Sequence, residues 1–155
     1  MKSIIVYYSL EGSTDMVAKL IQKETGADML RLVPKKEIPR EGFGKYVWGG
    51  KQVTFAEKPE LQPYTFHAEE YDTVIIGTPI WAGKCTPPIR TFLAEQNLND
   101  KKIYLFACHL GGGADKCFAI LKEKLVGNSI KGVMDFTDPE NHAYEIELKI
   151  KNMSW

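Results

Sequence analysis

Short runs of β-branched and aromatic residues alternate along the chain with segments whose apolar positions recur at helical spacing, the pattern of βα units feeding a parallel sheet. Five strands are expected, over Lys2 to Tyr8, Ala27 to Val33, Thr73 to Gly77, Lys102 to Cys108 and Ile130 to Phe136. The first, third and fourth are continuous apolar runs, as strands covered on both faces are. Asp28, Arg31, Lys131 and Asp135 break up the other two, which suits positions nearer the sheet edges. A helix opening at Ser13 or Thr14 would bury Val17, Leu20 and Ile21 and stop at Gly26. Pro87-Pro88 opens another that buries Ile89, Phe92 and Leu93, and a third carries Phe118, Leu121 and Leu125 and ends at Gly127.

Two stretches are less direct. In the tail, Tyr144, Ile146, Leu148 and Ile150 alternate as a strand would, but Asp138-Pro139-Glu140 is a helix-start signal, and a helix is expected. From Pro34 to Glu70 the chain holds Pro34, Pro39, Pro59, Pro63 and the Gly49-Gly50 pair. A structureless loop of that length is improbable in a compact domain, so a short helix is expected around Phe43 to Phe55. Its aromatics Phe43, Tyr46, Trp48 and Phe55 then read as cover for a sheet face.

The length, 155 residues, fits one domain over residues 1–155. Twenty Lys and Arg balance twenty Asp and Glu, so no net field favours nucleic acid or an anionic membrane surface. No apolar run approaches the ~20 residues of a membrane-spanning helix, and no secretory signal is legible, so a cytoplasmic protein without membrane insertion is expected. Cys85, Cys108 and Cys117 form no CxxC pair and have no metal-ligand spacing with His67, His109 or His142; reduced thiols and no metal site are the expectation.

In an open parallel sheet, ligands sit beyond the carboxyl ends of the strands, where successive connections leave for opposite faces. Three loops lie at that edge. The first, Ser9-Leu10-Glu11-Gly12-Ser13-Thr14, places hydroxyls and a glycine just ahead of a helix, where side-chain oxygens and backbone N–H groups can converge on a phosphate. Ser and Thr are also the commonest N-caps, so this loop alone reads equally as a plain capped helix start. The second, Thr78-Pro79-Ile80-Trp81-Ala82-Gly83, sets an indole between a rigid and a flexible segment, suited to a planar ring. The third runs from His109 through Leu110 to Gly111-Gly112-Gly113, whose bare backbone would let a polar ring edge approach.

Two nucleotide signatures are missing. Without Gly-x-x-x-x-Gly-Lys-Ser/Thr there is no lysine for phosphoanhydride cleavage, and without Gly-x-Gly-x-x-Gly no dinucleotide cradle is indicated, so a mononucleotide fits better. A phosphoacceptor receiver would need acidic residues at the ends of the first and third strands, which read Tyr8-Ser9 and Gly77-Thr78.

Together these loops resemble those of the flavodoxin-like family, from Lys2 to Ile150. Ser9 to Thr14 is similar to its phosphate loop, Thr78 to Gly83 with Pro87, Pro88, Phe92 and Leu93 to its second flavin loop and following helix, and His109 to Gly113 to its third. The resemblance implies an open doubly wound parallel five-stranded α/β sheet of order 2-1-3-4-5, with FMN as cofactor. It further implies that Ser9, Leu10, Glu11, Gly12, Ser13 and Thr14 hold the phosphate, Glu11 through its amide with its carboxylate in water. Thr78, Pro79 and Ile80 would lead into Trp81 against the isoalloxazine, Ala82 and Gly83 would present backbone to the N5 edge, and Cys108 with Gly111, Gly112 and Gly113 would line the pyrimidine edge.

The implied function is electron transfer as a flavodoxin-like carrier, with a redox protein as partner. Flavodoxin carriers are usually acidic, whereas this chain is neutral; Glu11 stands where a hydroxyl residue is common; and the third loop offers only His109 and Leu110 to cover the ring's second face. These departures bring in an FMN-dependent NAD(P)H:quinone-type oxidoreductase acting on a small quinone or nicotinamide, with Lys84 or His109 near substrate. A cofactor-free binding module on the same scaffold is the remaining alternative. An adjacent Cys108-His109 pair on a strand points its side chains apart and does not form a nucleophile and base dyad.

Overall fold

The computed structural model of the protein describes residues 2–10, 12–35, 59–81 and 83–155. The expected helix over Phe43 to Phe55 and the aromatics placed on it lie outside the described residues.

The elements are β1 (Lys2–Tyr7), α1 (Ser13–Thr25), β2 (Asp28–Arg31), β3 (Tyr71–Trp81), β4 (Lys84–Cys85), α2 (Pro87–Glu95), β5 (Lys102–His109), α3 (Asp115–Lys124), β6 (Ser129–Thr137) and α4 (Ala143–Lys151), with short 3-10 turns at Ala68–Glu70 and Pro139–Asn141. The main sheet runs β2-β1-β3-β5-β6 and is parallel throughout. Its five strands therefore follow the expected order. The sixth, β4, folds back antiparallel on the end of β3, pairing Ile80 with Cys85 and Trp81 with Lys84. That hairpin is a correction: β3 does not stop at Gly77 but continues through Thr78 to Trp81, turning the second expected loop into a strand extension.

Although β1, β3 and β5 read as unbroken apolar runs, the pleat sends alternate residues to opposite faces. Ile4, Val6, Val74, Ile76, Ile103 and Leu105 pack under α2 and α3, against Ile89, Phe92, Phe118 and Leu121. Ile5, Tyr7, Ile75, Tyr104 and Phe106 pack under α1 and α4, against Val17, Ala18, Ile21, Ile146 and Ile150. The connection leaving β1 thus goes to one face and that leaving β3 to the other, and the switch between them opens a crevice at their carboxyl ends. The tail is a helix because only Ile146 and Ile150, four apart, turn inward; Tyr144 and Leu148 face solvent.

Helix α1 starts at Ser13 as expected, but no side chain caps it. Gly12 occupies the N-cap at φ 106°, a conformation costly for any residue with a Cβ, and its carbonyl accepts from Met16 N–H. Asp15, in the first turn, anchors this end: it accepts the Tyr7 hydroxyl at 2.5 Å and pairs with Lys19 at 2.8 Å. Arg31 on β2 reaches the same carboxylate at 3.8 Å and donates to the Ser9 carbonyl at 2.9 Å.

Burial pushes the Asp15 carboxyl up, but the hydrogen bonds from Lys19 and Tyr7 and the charges of Lys19 and Arg31 outweigh it and hold it below the usual carboxylate value. Such a group contributes stability that is complete above the unfolded carboxylate value, ~3.9, and is lost as pH falls through its lower folded value. Asp15→Asn should therefore lower the urea midpoint near neutrality, and the gap to wild type should close as the pH falls below the ordinary carboxylate range. A gap independent of pH would show that the carboxylate's charge is not what anchors the helix.

Candidate functional site

The carboxyl-end crevice is an open cleft lined by Ser9, Leu10, Ser13, Thr14, Pro79, Ile80, Trp81, Cys108, His109, Leu110 and Pro139. All three loops singled out in the sequence meet there. Glu11 and Ala82 lie outside the described residues.

The three hydroxyls of the first loop have different surroundings. Ser9 is buried and its Oγ accepts from Gly12 N–H at 3.1 Å, which fixes the turn into α1. Thr14 is buried and turned to the Cys108 thiol. Ser13 is half-buried, and its hydroxyl donates to Glu140 Oε1 at 3.1 Å. At the first turn of α1, backbone N–H groups have no intrahelical partner and the helix dipole is positive, so Ser13 marks an anion-accepting corner of the cleft.

Trp81 stands at the other end. It is half-buried, its ring perpendicular to that of Tyr8 at 5.8 Å between centroids, and it lines the cleft. Thr78 does not reach the wall: fully buried, its Oγ1 lies 2.9 Å from the Thr86 hydroxyl and accepts from Thr86 N–H at 3.1 Å, tying the two ends of the hairpin. Pro79 and Ile80 do line the cleft, whereas Gly83 closes the turn with φ 77°. Gly111, Gly112 and Gly113 lie just beyond the lining residues, and Leu110, 75% exposed, projects at that rim.

His109 is not a free acid or base. Gly111 N–H donates to its Nδ1 at 2.9 Å, so the proton of the neutral ring sits on Nε2, which bonds the Asp135 carboxylate. With both nitrogens engaged and the side chain 6% exposed, His109 positions the third loop where it lines the cleft. Cys108 is inert for a different reason: burial pushes its thiol up to about 12, opposed only in part by the Thr14 hydrogen bond.

Cys85 is fully buried. A hydrogen bond from Cys117 brings its thiol down to about 7 despite burial, with help from the nearby Arg90 charge and hydrogen bond. Arg90 is itself buried, and its Nε has no hydrogen-bond partner.

Sequence reasoning missed the fourth contributor to the cleft, the turn after β6. Pro139 lines the wall and Glu140 reaches Ser13. The rule that ligands gather at strand carboxyl ends applies to β6 as to the others and points to Asp138-Pro139-Glu140, a segment whose local signal is only that of a helix start. Asp15 and Arg31, which brace the first loop from behind, carried no motif. Among the described residues no group of three or more His, Cys, Asp or Glu is placed to hold a metal ion, and no helix is long and apolar enough to cross a membrane.

An open, doubly wound α/β sheet with its cleft at the switch between β1 and β3 defines a class of folds that take their ligands at the carboxyl ends of the strands. Within it, a family model described as Flavodoxin matches residues 2–137, and the chain belongs to the flavodoxin family. Three solved structures share the fold. A flavoprotein from Lactobacillus acidophilus NCFM, in complex with FMN, is 23% identical with a TM-score of 0.74, over 92% of this chain and 97% of that one. A candidate flavoprotein from Bacteroides uniformis ATCC 8492 is 21% identical with a TM-score of 0.79, over 97% and 98%. Oxidised Flavodoxin 2 from Bacillus cereus is 18% identical with a TM-score of 0.63, over 98% and 94%. The chain is also 28% identical over 130 residues to envelope glycoprotein B of Bovine herpesvirus 1.1 (strain Cooper), spanning 84% of its own length but 13% of that curated relative.

Proposed function

We propose that this protein binds FMN in the carboxyl-end cleft and transfers electrons as a flavodoxin-like carrier. The observation that carries this reading is the convergence on one cleft of Ser13, at the start of α1, with Trp81 and the uncharged walls of Pro79, Ile80 and Leu110. The residues suit the group: a hydroxyl and helix N-terminal N–H groups for a phosphate, an indole flank for a planar ring, and bare glycine backbone for its polar edge. FMN, when bound, supplies the electron chemistry. The chain's own part is to anchor the phosphate through Ser13 and the first-turn N–H groups, to exclude water from one ring face with Trp81, and to hold the third loop in register through His109 and Asp135.

The exposed position of Leu110, with no aromatic beside it on the third loop, supports a second reading, in which a small quinone or nicotinamide stacks on the uncovered ring face and the protein acts as an FMN-dependent oxidoreductase. Balanced charge favours the same reading, because steering toward a charged redox protein is weak.

Titrating FMN into flavin-free protein, followed by quenching of flavin fluorescence, should reach saturation near one FMN per chain. Fluorescence that stays at the free-flavin value throughout would overturn the flavin reading. Steady-state NAD(P)H oxidation with a quinone then separates the two roles: a carrier turns over poorly without a reductase protein, and an oxidoreductase does not need one.

A further inference from the structure

The anion-accepting corner of the cleft already holds an anionic side chain. Glu140 Oε1 accepts the Ser13 hydroxyl at 3.1 Å, at the position where the first turn of α1 would receive a phosphate. The turn that carries Glu140 is held in place by several bonds. Asp138 N–H donates to the His109 carbonyl at 2.7 Å, Asn141 Nδ2 bonds both Asp138 carboxylate oxygens at 3.1 and 2.9 Å, and Pro139 is buried against the cleft. The Glu140 backbone is thus pinned beside the start of α1, while its side chain remains exposed and able to swing.

The charges around it do not compensate. Among the described residues Glu140 forms no ion pair. Arg31, the cation bracing this loop, is engaged by Asp15 and the Ser9 carbonyl on the far side. Asp138, two residues before Glu140, adds further negative charge on the same turn.

We propose that Glu140 sets the affinity and selectivity of the cleft for phosphorylated flavin: its carboxylate engages Ser13 and must withdraw, while still repelling, when FMN binds. The proposal rests on the flavin reading above. A phosphate monoester carries about −1.5 to −2 charge near neutrality. Against one carboxylate withdrawn to about 6 Å in water-like surroundings, that repulsion corresponds to about a tenfold loss of affinity. Riboflavin, with the same ring and no phosphate, would not feel it. Glu140 therefore narrows the cleft's preference for FMN over riboflavin and eases release of the bound flavin.

The test measures dissociation constants of FMN and riboflavin for wild type, Glu140→Gln and Glu140→Ala by fluorescence quenching, at low and high salt. Glutamine keeps an acceptor for Ser13 and removes the charge; alanine removes both. Both variants should bind FMN about tenfold more tightly at low salt, with the gain shrinking at high salt and riboflavin unchanged. FMN affinity unchanged or weakened in Glu140→Gln overturns the proposal, as does an equal gain for both flavins, which would place the effect on the ring. Should wild type bind FMN while the variants gain nothing, the Glu140 proposal alone falls; if no form binds either flavin, both readings fall. Thermal midpoints without flavin should match wild type within about 2 °C for this exposed side chain, so that an altered fold is not mistaken for altered affinity.

Discussion

Gly77→Ala is expected to destabilise the fold by about 3 kcal/mol or more, near or beyond the upper end of what overpacking a core usually costs. Gly77 on β3 lies directly opposite Phe106 on β5, and the Phe106 ring covers it so closely that a Cβ there would fall 2.0 Å from the ring's tip and about 2.5 Å from the two flanking carbons. Phe106 is fully buried under α1 and α4, so the ring cannot swing into solvent, and neither central strand can shift without breaking the parallel ladder on both sides. Urea denaturation would show the loss as a lower midpoint with little change in slope. Pairing Gly77→Ala with Phe106→Leu should recover part of it, because the smaller side chain frees the space the methyl needs. A single variant as stable as wild type would mean that the ring does not sit over the glycine.

Ser13→Ala and Trp81→Ala are expected to separate the two ends of the proposed flavin site. Losing the Ser13 hydroxyl removes one hydrogen bond to a charged group, so FMN affinity should fall by about ten- to a hundredfold while riboflavin affinity stays within about twofold. Losing the Trp81 indole removes a stacking surface that does not depend on the phosphate, and both flavins should weaken together by about ten- to a hundredfold. Thr14→Ala would be a poor substitute for the first variant, because the Thr14 hydroxyl is buried against Cys108 and its removal disturbs packing. Equal losses of FMN and riboflavin in Ser13→Ala would show that the start of α1 does not grip phosphate.

The two-sided burial of β1, β3 and β5 and the start and stop of α1 were legible because each depends on residues close in sequence, whereas the order of the five parallel strands came only with the family resemblance of the three loops. Val17 and Ile21 lie on one helix face whatever surrounds them, and continuous apolar runs suit strands covered on both faces. The tail needed more: Tyr144, Ile146, Leu148 and Ile150 satisfy a strand pattern as well as a helix pattern, and the Asp138-Pro139-Glu140 signal tipped the balance. The β3–β4 hairpin was not legible, because Thr78-Pro79 looks like the end of a strand, and what extends it is a contact eight residues on, the Thr78 hydroxyl with Thr86.

The candidate site divides along the same line. Ser9 to Thr14, Pro79 to Trp81 and the segment at Cys108 could be nominated from the chain alone, because the topology of an open sheet brings the carboxyl ends of neighbouring strands to one edge. Which hydroxyl stays open could not. Ser9, Ser13 and Thr14 are chemically alike, and the tertiary packing turns Ser9 to Gly12 N–H, Thr14 to Cys108 and Ser13 to the cleft. The same holds for His109, whose two nitrogens are committed by Asp135 and Gly111, and for Glu140, which meets Ser13 across 127 residues of chain. Local spacing and period specify which segments become strands and helices and which strand ends gather at one edge; the partner of each polar side chain there is set by three-dimensional proximity, since a hydrogen bond depends on distances of a few tenths of an ångström that no one-dimensional pattern encodes.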